Sequence, residues 1–351
     1  MRTRIIFYIL LISSITACGC AVGDTTDGTN SIEPWIESAC TGETASYYAT
    51  LIPGFVRDFS IASAPTTKYM STNEVDLEDA VSQAKAIGDY LYIILSCSFI
   101  DPAANLSDYR LLCDFAGRAD MAVSLALDIS RLPPGAAFND PSIRQNYLAE
   151  IENLILEYPP NLLNLCMEMN VYAFGEDTRE DYPNLVSLYE EAYDMVESLN
   201  PGIVTYMSHS WELDLFHAAE APLQLFVDLG FRLDAAGIST FPQIVGIENP
   251  VEIPGIYYAD LPLYIDVPVI VECGFSDDAA YNSSETIALD FPPELMRALD
   301  DLNLLQVQLV EMHDLPAPEL DELFHHMGLR RYDGAAKPIY CGWLYIADAG
   351  P

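Results

Sequence analysis

Eight short, mostly apolar runs, separated by polar or helix-patterned stretches, limit the folds open to this chain more than any other feature. They are YYATLIPGF (47–55), YLYIILSCSF (90–99), MAVSLALDI (121–129), LLNLCMEMN (162–170), IVTYMSHSW (203–211), LDAAGISTF (233–241), VPVIVECGF (267–275) and LLQVQLVEMHD (304–314). None alternates strictly between apolar and polar residues, which is the pattern of strands covered on both faces. Between them, helical periodicity reads at 74–87, 107–117, 142–157, 181–199 and 318–328. In 181–199 an apolar stripe is formed by Leu185, Leu188, Tyr189, Ala192, Val196 and Leu199, with Pro183 near the start and Asn-Pro-Gly at 200–202 as the stop. Alternation of this kind predicts an α/β fold, a (β/α)8 TIM barrel. A doubly wound sheet is the competing arrangement, but no Gly-rich phosphate loop follows the first run. With 351 residues, 51% of them hydrophobic, the chain has material for one large core.

Charge narrows the partners. The chain carries 53 acidic and 15 basic residues, a net charge of −38, and its lysines are Lys68, Lys85 and Lys337. Such a field repels nucleic acid and anionic head groups, so a nucleic-acid partner is excluded and a neutral or cationic substrate is expected. An acidic, lysine-poor surface also suits a salty habitat. No HExxH, GxSxG, P-loop or Cys/His zinc spacing occurs, and no metal or cofactor is expected.

The N-terminus, MRTRIIFYILLISSITACGC, places Arg2 and Arg4 before an apolar run too short for a stable span, then small residues and a cysteine. It reads as a signal peptide over 1–17. The tetrapeptide Ile15–Cys18 resembles a bacterial lipobox, which implies cleavage before Cys18, lipid on its thiol and an extracytoplasmic, membrane-anchored protein. Residues 18–44, rich in Gly, Thr, Asp and Asn, read as a flexible tether to a domain over 45–351. Seven cysteines remain beyond Cys18, and their pairing is open.

Active sites of parallel barrels form at the C-terminal ends of strands. The fourth run ends with Glu168 and Asn170, the seventh with Glu272, and both carboxylates follow apolar stretches where an unpaired charge is costly. Two carboxyls facing one another across a cleft are what glycoside hydrolysis requires. The marks CMEMNVY, LDAAGISTFP, PVIVECGF and MHD…GLRRYDGAAKPIYCGW resemble the retaining glycoside hydrolases with (β/α)8 barrels called clan A, in particular the endo-galactanase-like and cellulase-like branches. The resemblance implies that Glu168 is the acid/base and Glu272 the nucleophile on a β-linked carbohydrate. It departs from the family where Met167 replaces the Asn before the acid/base, where Phe241 replaces a Tyr on strand 6, and where strand 8 lacks a Trp.

Further substrate contacts are expected from Asn170, Tyr172, His209, Trp211, Phe241, His313 and Asp314, which lie at or beyond strand ends and supply aromatic platforms or polar rims. A non-catalytic surface carbohydrate-binding protein on the same barrel is the alternative that the departures allow.

Overall fold

The computed structural model describes residues 40, 59–64, 74–175, 177–218, 223–229, 232–311, 314, 326–331 and 335–348. Eight parallel strands close into the expected barrel in sequence order: β1 (Ser60–Ser63), β2 (Tyr90–Ser96), β3 (Ala122–Asp128), β4 (Leu162–Cys166), β5 (Val204–Ser210), β6 (Ala235–Thr240), β7 (Val269–Cys273) and β8 (Leu304–Leu309). β1 pairs with both β2 and β8, which seals the cylinder. Around it run α1 (Glu74–Ile87), α2 (Leu106–Arg118), α3 (Pro141–Glu157), the short α4 (Asn170–Phe174), α5 (Tyr182–Leu199), α6 (Trp211–Phe216), α7 (Gln224–Leu229), α8 (Glu285–Ala288), α9 (Phe291–Leu299) and α10 (Pro338–Asp348).

The helices start where local chemistry starts them. Asp140 caps α3 by accepting the Ser142 amide, with Pro141 in the first turn. On α5 the stripe Leu185, Leu188, Tyr189, Ala192 and Val196 is buried, whereas Leu199 is exposed at the helix end. Two expectations about elements need correction, and a third falls mostly outside the described residues. The first strand is not 47–55, which lies outside the described residues, but Ser60–Ser63, a small-residue strand packed so closely that a Cβ on Gly88 would clash with the Ile61 carbonyl. Most of 318–328 also lies outside them, and the closing helix is α10. The fourth strand stops at Cys166, because the Asn164 side chain takes the Cys166 amide at 3.0 Å and the register with β5 shifts there.

Cys40, in the segment read as a tether, is joined to Cys341 on α10, a separation of 301 residues. Among the described residues Cys97, Cys113, Cys166 and Cys273 are free and buried.

The outer face of the strands packs on the helices in one continuous apolar core. The interior differs. Hydrogen bonds between non-adjacent strands have to cross it, and several do: Gln308 of β8 donates to Ser124 of β3 and to Tyr206 of β5, both at 2.9 Å. Apolar layers lie above and below, including Ala62, Ala126 and Met167 in one and Leu162, Ala235 and Ile270 in another.

Candidate active site

Glu272 is the fourth residue of β7 and is 5% exposed. It points into the barrel, since its Oε2 accepts a hydrogen bond from the hydroxyl of Tyr92 on β2 across the interior. Its register partner on β6 is Ser239, whose hydroxyl donates to Glu168 Oε1 at 2.5 Å. The two carboxylates thus share one end of the barrel, linked through neighbouring strands.

Glu168 is half-buried and lies just past β4 in a left-handed backbone conformation, φ 50°. A non-glycine residue there stores about 1–3 kcal/mol of strain and needs its surroundings to hold it. Ser208 of β5 does so: its hydroxyl accepts the Glu168 amide at 3.1 Å and the Asn164 side-chain amide at 3.0 Å, and its carbonyl accepts the Met169 amide at 2.8 Å. Only glycine fits opposite, because a Cβ on Gly237 would meet the Ser208 Cβ at 2.7 Å.

Burial pushes the Glu272 carboxyl up to about 8; the donated Tyr92 hydroxyl works against that rise and the charge of Glu168 adds to it. Glu168 is also raised by burial, against the Ser239 hydrogen bond and with the help of Asp128 at the end of β3. Two like charges in one desolvated mouth favour holding a proton between them at neutral pH. A site with one carboxyl protonated and one ionised is equipped for general acid and nucleophilic chemistry.

The other expected contacts are mostly occupied by the protein itself. After the left-handed turn at Glu168 the strand parity is lost, so Asn170 opens α4, fully buried, and its amide nitrogen donates to the Ser210 carbonyl and to Asp214. His209 lies between the inward Ser208 and Ser210 and therefore faces outward; its Nδ1 pairs with Asp214 at 2.9 Å and its ring stacks on Phe226. Tyr172 is buried, with its hydroxyl on the Ile129 carbonyl. Trp211 is buried beside Tyr257 and Tyr258. Phe241 is buried against Met327. Asp314 accepts from the buried Lys337 ammonium at 2.5 Å, and that lysine also pairs with Asp277. These six side chains are engaged within the protein, and of them Tyr172 lies close enough to Glu168 to feel its charge. His313 and Cys18 lie outside the described residues.

Sequence reasoning missed Tyr92 and Ser208 and gave Ser239 no role. A tyrosine inside an apolar run at inward parity was the available signal for the first. Among the described residues no group of three or more His, Cys, Asp or Glu side chains is arranged to hold a metal ion, and no helix is long and apolar enough to cross a membrane.

No protein-family model and no curated protein sequence matches the chain. Solved structures do. The GH5_18 protein of Bifidobacterium longum subsp. infantis aligns at a TM-score of 0.63 with 15% identity, over 84% of this chain and 78% of that one. A GH5_18 variant from Streptomyces cattleya, solved with Manb1-4GlcNAc, aligns at 0.65 with 13% identity, over 83% and 80%. A xylanase 10C variant from Cellvibrio japonicus, solved with xylopentaose, aligns at 0.61 with 11% identity, over 87% and 69%. At such identities the likeness speaks for the fold: the chain is a (β/α)8 barrel of the form seen in these glycoside hydrolases.

Proposed function

We propose that the protein is a retaining glycoside hydrolase acting on β-linked poly- or oligosaccharide outside the cytoplasm, tethered to a membrane by lipid on Cys18. The observation that carries the reading is the pair of raised carboxyls at the ends of β4 and β7, each with one hydroxyl donor. Glu168 is the more exposed of the two and is assigned the acid/base, since that group must reach the leaving oxygen and then a water. Glu272, deeper and braced, is the nucleophile. In the first step the Glu272 carboxylate bonds to the anomeric carbon while the Glu168 proton goes to the departing glycosidic oxygen. In the second, water attacks that carbon, its proton passes to Glu168, and Glu272 leaves as carboxylate. The sugar complexes of the Streptomyces and Cellvibrio proteins favour a β-linked substrate. The Cys40–Cys341 disulfide favours an oxidising compartment.

The test is reducing-end release from β-linked galactans, glucans, mannans and xylans, with Glu272→Gln as the blank and proton NMR of the first-formed anomer. Release that vanishes in the variant, with net retention, supports the reading; net inversion removes the nucleophile role. A second reading, a carbohydrate-binding protein without turnover, draws on Asn170 and Phe241 being committed to packing while Met167 replaces the family's Asn. Sugar binding equal in both forms, with no release in either, selects it.

A further inference from the structure

We propose that Tyr92, reaching across the barrel from β2, is the positioning residue of the nucleophile and decides which of its oxygens attacks. The inference rests on the reading of Glu272 as nucleophile. Tyr92 is fully buried, and its hydroxyl donates to Oε2 of Glu272. That leaves Oε1 as the oxygen that bonds to the anomeric carbon as the glycosidic C–O bond breaks. Oε2 then becomes the carbonyl oxygen of the glycosyl ester and still accepts from Tyr92, so no proton moves from the tyrosine in either step.

Three features make Tyr92 a fixed donor rather than a chance neighbour. Its register partner Ser124 is pinned by Gln308, which also holds Tyr206, so the floor beneath the ring is braced. Burial and the surrounding carboxylates hold the Tyr92 hydroxyl well above its ordinary range, so it stays protonated wherever the enzyme works. The strand-6 hydroxyls are engaged elsewhere: Ser239 serves Glu168, Thr240 serves Glu212, and Phe241 has none. The bracing that clan A resemblance expects from a strand-6 tyrosine therefore comes from β2.

A donor to a carboxylate favours its ionised form. Glu272 is faced by Tyr92, Tyr206 and Glu168, with Cys273 adjacent on its own strand. Of these only Glu168 brings charge at working pH, so Tyr92 is the donor that offsets it.

Tyr92→Phe keeps the ring and removes the donor. The expected result is a kcat about 10- to 100-fold lower with little change in KM, and an alkaline limb of kcat/KM moved to higher pH. Fluorotyrosine placed at position 92 alone keeps the shape, strengthens the donor and should move that limb the other way. This also decides the matter should Tyr92→Phe fold poorly. Wild-type kcat and pH profile in both variants overturn the proposal while leaving the glycosidase reading intact. Absence of release from wild type fails that reading instead. In that event a thermal-stability cycle of Tyr92→Phe and Glu272→Gln still reports the contact: coupling that grows as Glu272 ionises supports it, and flat coupling from pH 5 to 9 removes it.

Discussion

At the scale of single residues, the site depends on how Glu168 is held. Its left-handed backbone has one hydroxyl under it, that of Ser208, which also takes the Asn164 amide. Ser208→Ala leaves both donors without that acceptor in a buried place and is expected to cost about 1–3 kcal/mol in urea unfolding. It should also lower kcat, because a carboxyl displaced by about 1 Å loses on the order of 100-fold. Wild-type turnover in this variant means the turn holds itself. A second expectation concerns pH. The active form has one proton on the pair, so kcat/KM should be bell-shaped, with its alkaline limb near the value of about 8 to which Glu272 is raised. Glu168→Gln should retain attack on aryl glycosides with good leaving groups and lose natural substrates; equal loss on both moves the acid role elsewhere. The two carboxylates were legible because a charge ending an apolar run has few structural uses in a chain so short of cations. The hydroxyls that tune them were not, since a serine or tyrosine in a strand acquires its role only from register across the barrel. Asn170 was misplaced for a related reason: parity counted along β4 does not survive a left-handed residue.

At the scale of elements, the strands with large apolar residues were readable and those built from small ones were not. β1 is Ser-Ile-Ala-Ser, buried because its neighbours are close rather than because its side chains are large. The nearby run at 47–55 had the stronger apolar signal and drew the assignment. α10 carries no helical signal in the sequence, because most of its residues are buried and no polar face marks its period. Its link to Cys40 has a measurable consequence. A crosslink between residues 301 apart in sequence removes much of the unfolded chain's freedom. Cys341→Ser, or reduction of the wild type, should lower unfolding free energy by about 2–5 kcal/mol in urea. Identical midpoints with and without reductant mean the bridge does not contribute in solution.

At the scale of the whole molecule, charge acts in two places that an experiment can separate. On the surface, a net charge of −38 repels itself, and nearly all of that charge is in place once ordinary carboxylates have ionised, by about pH 6. Inside, burial raises Glu272 to about 8, Glu150 and Glu212 to about 7, and Asp314 to about 6. A carboxyl whose folded pKa lies above its unfolded one favours folding fully below the unfolded value, and that contribution is lost as pH rises through the folded value. Stability should therefore fall from about pH 4 to about pH 8. Each group loses about 1.4 kcal/mol for every pH unit between its unfolded and folded pKa, before relaxation reduces it. Salt distinguishes the two sources, because 1 M NaCl shortens screening to about 3 Å and quiets exposed charges while leaving buried ones untouched. Melting temperature followed from pH 5 to 9 at 0.05 and 1 M NaCl should rise at every pH with salt, as an acidic surface suited to a salty habitat requires. The decline between about pH 6 and 8.5 should persist at high salt and be shallower in Glu272→Gln. A decline that disappears at 1 M NaCl assigns the whole effect to the surface, and an unchanged slope in the variant means Glu272 does not titrate in that window.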